Sequence, residues 1–188
     1  MLIIDDIFRR PMKPIEEQMA TYAAYHQDAR NKATHFIGVP LIALSLFIPL
    51  AWLRVGDVSA AMVLAAVLLV YYLMLDVPLA LAMLVVFALL AWAGESIARL
   101  GPVAGWTWFA VLFVGGWILQ LAGHVFEGRK PALADNLFQI FVAPIFLAAE
   151  ALFALGYKPG LQETVQRRAM EMRSRAGNPE RSDSLKSA

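Results

Sequence analysis

Apolar residues fall along this chain in five long runs, and charged residues are nearly confined to the first 32 positions, a segment around Glu127 to Asp135 and the tail after Tyr157. The first run covers residues 36 to about 53, with Asn31 or Thr34 as its expected N-cap and with Gly38, Pro40 and Pro49 as irregularities. Arg54, Gly56 and Asp57 mark a turn. A second run, about 59–75, is parted by Asp76-Val77-Pro78 from a third that ends near Trp92 and Gly94. Together these predict a helical hairpin whose arms, roughly 16–18 residues each, stand at the short end of what spans a bilayer. Residues 95–102 read as a polar loop, 105–122 as the fourth run with Trp106, Trp108 and Trp117, and 137–155 as the fifth, interrupted by Pro144 and Glu150.

Ahead of the first run, residues 15–33 carry an amphipathic pattern. Pro14 opens it, Glu16, Glu17 and Gln18 favour its N-terminal dipole, and Met19, Tyr22 and Ala23 repeat at helical spacing. This helix is expected at the membrane surface. The chain thus divides into a loose arm (1–13), a single membrane domain (14–157) and a polar, basic, partly disordered tail (158–188) whose short helix holds Arg167, Arg168, Arg173 and Arg175.

Loop charges orient these runs, because cytoplasmic segments collect Lys and Arg. Arg9, Arg10, Lys13, Arg30 and Lys32 precede the first run, Arg129 and Lys130 follow the fourth, and the tail holds more. The intervening loops, with Arg54 and Asp57 or Glu95 and Arg99, are neutral. Both termini are therefore expected in the cytoplasm, at an inner membrane in a bacterium or the endoplasmic reticulum in a eukaryote. Four crossings bring His124 back to the face on which His26 and His35 lie. A basic tail on that face forbids a simple fifth crossing, so Pro144 is expected to mark a broken or re-entrant segment packed on protein; a plain fifth span is the competing topology. The expected fold is all-α, a multipass membrane helical bundle of four spans, a broken or re-entrant fifth segment and an N-terminal interfacial helix.

Composition agrees: 60% hydrophobic and 16% charged residues are more apolar surface than one small soluble core hides. The opening residues lack a basic region followed by an apolar one, so the first span is expected to target the chain. Cysteine is absent, which excludes disulfides, thiolate ligands and cysteine nucleophiles. A net charge of +1, with basic residues beside apolar runs, does not fit a nucleic-acid partner.

The candidate chemistry lies in three histidines, His26, His35 and His124, since imidazole is the commonest transition-metal ligand. They are suited to a non-haem iron or similar site with open positions; equally, interfacial histidines bond to headgroups and helix ends. At about 100° per residue, His26 and His35 fall on opposite faces of one straight helix. Both can be ligands only if the chain turns between them, expected at residues 31–34. Asp28, Glu127 and Glu150 are candidate further ligands, against ion pairs of Glu127 with Arg129 or Lys130 and of Glu150 with Arg30 or a backbone end. Asp135 reads as an N-cap. Arg129 is a candidate for a substrate carboxylate, and Asn31, Gln120, Asn136 and Gln139 for orienting the imidazoles.

Tyr25-His26, Asn31-Lys32, His35-Phe36-Ile37-Gly38-Val39-Pro40, Gln120-Leu121-Ala122-Gly123-His124-Val125-Phe126-Glu127, Pro131-Ala132-Leu133, Asn136-Leu137 and Ala143-Pro144-Ile145-Phe146 together are informative. From about Ala20 to Tyr157 the chain resembles the family of small multipass membrane proteins that includes the fungal 2-hydroxy fatty acid dioxygenase of phytosphingosine breakdown. The resemblance implies an Fe(2+)-dependent dioxygenase that uses O2 to shorten a 2-hydroxy long-chain fatty acid by one carbon. It implies His26, His35 and His124 as the metal ligands. The alternatives are a non-catalytic membrane scaffold or lipid-binding protein with structural histidines, and a haem protein with two histidines as axial ligands.

Overall fold

The computed structural model describes residues 13–129, 131 and 137–177. Among them are seven helices and one small β-ribbon. Pro14 leads into α1 (Ile15–Ala24), and after a turn the chain enters α2 (Ala29–Trp52). The cap of α2 is Asp28, whose carboxylate accepts the Arg30 amide at 2.8 Å, rather than Asn31 or Thr34. Thr34 lies inside the helix, its hydroxyl donating back to the Asn31 carbonyl at 2.8 Å. The expected bend at residues 31–34 is therefore at 25–28 instead, where a carboxylate can take up the exposed amides of a new helix.

β1 (Arg54–Val55) and β2 (Val58–Ser59) pair antiparallel about Gly56. The hairpin follows as α3 (Ala60–Leu75) and α4 (Val77–Ala98), each capped by a side chain, Ser59 on the Met62 amide and Asp76 on that of Leu79. α4 runs through the first half of the predicted 95–102 loop. Glu95 is buried in its last turn because Arg54 reaches it at 2.6 Å and neutralises it. α5 (Pro102–Glu127) ends on Gly128, whose φ of +66° closes the helix in the left-handed conformation glycine tolerates. α6 (Gln139–Ala154) and α7 (Pro159–Gly177) complete the chain.

Helices α2 to α5 alternate in direction. Trp52 donates to the Ala98 carbonyl and packs against Trp106 at a tilt at one end of the bundle; His35 meets His124 at the other. The closest pairing, α2 with α5, follows from small residues. A Cβ on Gly116 would stand 2.6 Å from Ile42, and one on Gly123 would collide with Thr34 and Asn31, so glycine at both positions lets the backbones approach until His35 and His124 lie side by side. Large apolar side chains, among them Val67, Met74, Val85, Leu89, Val111 and Ile118, face outward along α3, α4 and α5. Such an exterior suits lipid, not water. Three helices, α2, α4 and α5, are long and apolar enough to cross a membrane; α3 and α6 are apolar but shorter.

α6 is one continuous helix, not broken at Pro144. That proline is the sixth residue of the helix, and the ladder closes around the single lost amide. Both ends of α6 nevertheless lie at the histidine end of the bundle. The Phe141 carbonyl accepts from Tyr72 at 2.7 Å, Glu150 pairs with Lys32 at 2.8 Å, and Lys158 just beyond pairs with Asp76. α6 thus lies across that end of the bundle as a single unbroken helix. The tail helix is longer than expected and belongs to the fold: Val165 and Ala169 of α7 are fully buried, as are Met19, Ala20 and Ala23 of α1, which packs against it. The arm (residues 1–12), Lys130, Asp135, Asn136 and the expected disordered end (178–188) lie outside the described residues.

Candidate metal centre

The turn at residues 25–28 delivers His26 to the place where α2 and α5 converge. The rings of His26, His35 and His124 are 4.5, 5.1 and 5.1 Å apart by centroid, all three residues are buried, and one nitrogen from each falls within 4.8 Å of the others. Tyr22 stacks flat on His26 at 4.0 Å. The two histidines of the N-terminal segment are held alike: His26 Nδ1 bonds the Tyr22 carbonyl at 2.7 Å and His35 Nδ1 the Asn31 carbonyl at 2.9 Å. In both cases the acceptor lies four residues upstream, a spacing readable in the sequence.

These bonds set the tautomers. A carbonyl only accepts, so each Nδ1 carries the proton and each Nε2 presents a lone pair. The two Nε2 atoms face each other at 3.1 Å. Two lone pairs at that distance repel unless a cation stands between them, and burial pushes the His26 pKa down to about 3, which opposes a proton in that role. Two metal–imidazole bonds of about 2.0–2.1 Å at a right angle set their nitrogens about 3 Å apart. His124 adds a buried Nδ1 with no hydrogen-bond partner among the described residues. The donor set fits a divalent transition metal with positions left open.

The carboxylates considered as further ligands are engaged elsewhere. Asp28 caps α2 and pairs with Arg30 at 2.9 Å, and Glu150 pairs with Lys32 rather than Arg30. Glu127, its side chain 1% exposed, takes the amides of Gln27 and Asp28 at 2.9 and 2.7 Å, the Asn31 side chain at 3.2 Å and the guanidinium of Arg173. It pins the turn that carries His26 to the end of the helix that carries His124. Arg173, which the sequence did not mark for this role, takes the place expected of Arg129 or Lys130. Asn31 orients His35 through its backbone carbonyl, while its side chain serves Glu127.

A cavity of about 360 Å³ opens beside the histidines. All three line it, with Gln120, Gln139 and Tyr22; the remaining wall is apolar, including Val39, Ile42, Leu46, Phe47, Leu68 and Phe87. From His35 to Leu46 it follows eleven residues of α2, roughly 16 Å. Arg129, half-buried just past α5, is not part of this wall and has no ion-pair partner among the described residues.

A family model described as "2-hydroxy-palmitic acid dioxygenase Mpo1-like" matches residues 12–155. The chain is also 35% identical over 157 residues to the 2-hydroxy-palmitic acid dioxygenase MPO1 of Saccharomyces cerevisiae, covering 81% of this chain and 87% of that protein. No solved structure matches it significantly.

Proposed function

The chain belongs to the Mpo1-like family, and on that premise we propose that it is an iron(II)-dependent membrane dioxygenase that shortens 2-hydroxy fatty acids by one carbon, with His26, His35 and His124 as the iron ligands. The observation that carries this reading is the pair of opposed Nε2 atoms, with His124 beside them, at the head of an apolar cavity. Purely structural histidines would turn a donor toward an acceptor. Here two acceptors converge, the arrangement that a cation relieves.

Bound iron(II) would activate O2 toward the closed-shell substrate, which itself supplies the electrons and gives up its carboxyl carbon as CO2. The protein's part is placement. The Tyr22 and Asn31 carbonyls hold two rings in the ligating tautomer, and Glu127 keeps the His26 turn against α5. The apolar wall takes the acyl chain and excludes water, so the oxygenated end of the substrate comes to rest beside the histidines. The bundle is read as lying in the membrane with its histidine end, N-terminal segment and α7 on the cytoplasmic side, in line with the basic residues there.

The test is metal analysis of the purified protein, anaerobic iron(II) reconstitution, and oxygen uptake with 2-hydroxypalmitic acid, the product being sized by mass spectrometry. A product one carbon shorter is expected. His26→Ala, His35→Ala and His124→Ala should each lose iron while keeping the helical signal. Folded protein that neither binds iron nor shortens the acid would overturn the proposal, and a variant with full iron occupancy would remove its histidine from the ligand set.

A further inference from the structure

Apart from the histidines, Tyr22 and the indole of Trp117, the polar side chains of the cavity wall among the described residues are Gln120 and Gln139. Gln120 stands one helical turn before His124 on the same face of α5. Its Nε2 atom is buried without a hydrogen-bond partner among the described residues, close enough to α2 that a Cβ on Gly38 would lie 2.6 Å from it. Gln139 is the first residue of α6, and its Oε1 is likewise buried and without a partner among the described residues. The two residues are only 7% and 5% exposed.

Unpaired buried amides weaken a fold. Two of them, on different helices and lining one cavity next to a metal-ligand cluster, indicate that their partner is a molecule that enters it. That molecule must be apolar along most of its length and carry hydrogen-bonding oxygens at one end. A 2-hydroxy fatty acid has both features. Its carboxylate only accepts, matching an amide N–H, whereas its hydroxyl also donates, matching an amide oxygen. Neutral amides also spare the empty cavity a buried charge, which an arginine in the wall would impose.

We infer that Gln120 and Gln139 are the head-group subsite: Gln120 donates to the carboxylate of a 2-hydroxy fatty acid, and Gln139 accepts from its 2-hydroxyl. The inference rests on the substrate reading above and adds to it the residues that distinguish a 2-hydroxy acid from a plain fatty acid.

The experiment uses the full chain, loaded with iron(II) and kept anaerobic, in detergent micelles. Equilibrium binding of 2-hydroxypalmitic and palmitic acids is compared for the wild type, Gln120→Met and Gln139→Met, with melting temperature and iron uptake measured on each. The wild type should prefer the hydroxy acid. Gln139→Met should reduce that preference roughly tenfold, and Gln120→Met should weaken both acids roughly tenfold. Both variants should bind iron as the wild type does, and without ligand both should melt at or above its temperature, because each loses an unpaired buried amide. Unchanged binding of both acids by a variant overturns the inference for that residue. So does a lowered melting temperature without ligand, which would mean that its amide has a partner in the free protein, or a loss of iron, which would place it at the metal. If the wild type binds neither acid, the substrate reading falls with the inference; if it binds and the variants match it, only the subsite falls.

Discussion

Glu127 lies three residues beyond His124 and does not line the cavity, yet its buried carboxylate joins the His26 turn, Asn31 of α2 and Arg173 of α7. Replacing it with glutamine removes the charge that draws these donors together and leaves the turn free to shift. Metal affinity of Glu127→Gln is expected to fall 10–100-fold, as for other groups that orient metal ligands, by competition with a chromophoric chelator. Arg173→Ala should cost about 2 kcal/mol in unfolding, less than the 3–5 kcal/mol of a fully buried pair because Arg173 is 31% exposed. The three histidines were legible as a set because they are the chain's only ones and the charge pattern brought them to one face. Glu127's role was not. Its donors are two backbone amides and the Asn31 side chain, about a hundred residues upstream, and an arginine 46 residues downstream, and none of them leaves a mark in the local sequence.

At the scale of elements, the four bundle helices α2 to α5 announced themselves through their apolar runs, and Ser59 and Asp76 mark the starts of α3 and α4 as capping residues should. What run length misreads is polar sequence inside helices. Glu95 extends α4 because Arg54, distant in sequence, neutralises it, and Thr34 satisfies its hydroxyl on its own helix. Pro144 likewise reads as a break, although one missing amide near a helix start is a small loss. The α2–α5 contact is the element on which the site depends. Gly116→Ala, two turns from His124, should force Ile42 and the Gly38 carbonyl outward, costing about 1–3 kcal/mol. It should also weaken metal binding although it touches no ligand. A variant with native melting temperature and native affinity would show that the helices have room to spare.

Across the whole molecule, α1, α6 and α7 cap one end of the bundle, and α7 lies beyond the region matched by the family model. A chain ending at Tyr157 should expose the α1 face that α7 buries and leave Glu127 without its cation. Such a chain is expected to bind metal at least tenfold more weakly than the full chain, read by the same chelator competition; full affinity would relegate α7 to a bystander. The cap also has a consequence in time. Residues 24 and 173, which it brings within hydrogen-bonding range, are 149 positions apart, whereas the α3–α4 hairpin closes over neighbouring residues. Contacts so remote form late, after local pairings have removed most of the loop-closure cost. A newly made chain would therefore hold its hairpin before it holds its cap. Metal capture would come among the last events of folding, when the final helix docks, and a chain stalled before that point would remain inert toward oxygen.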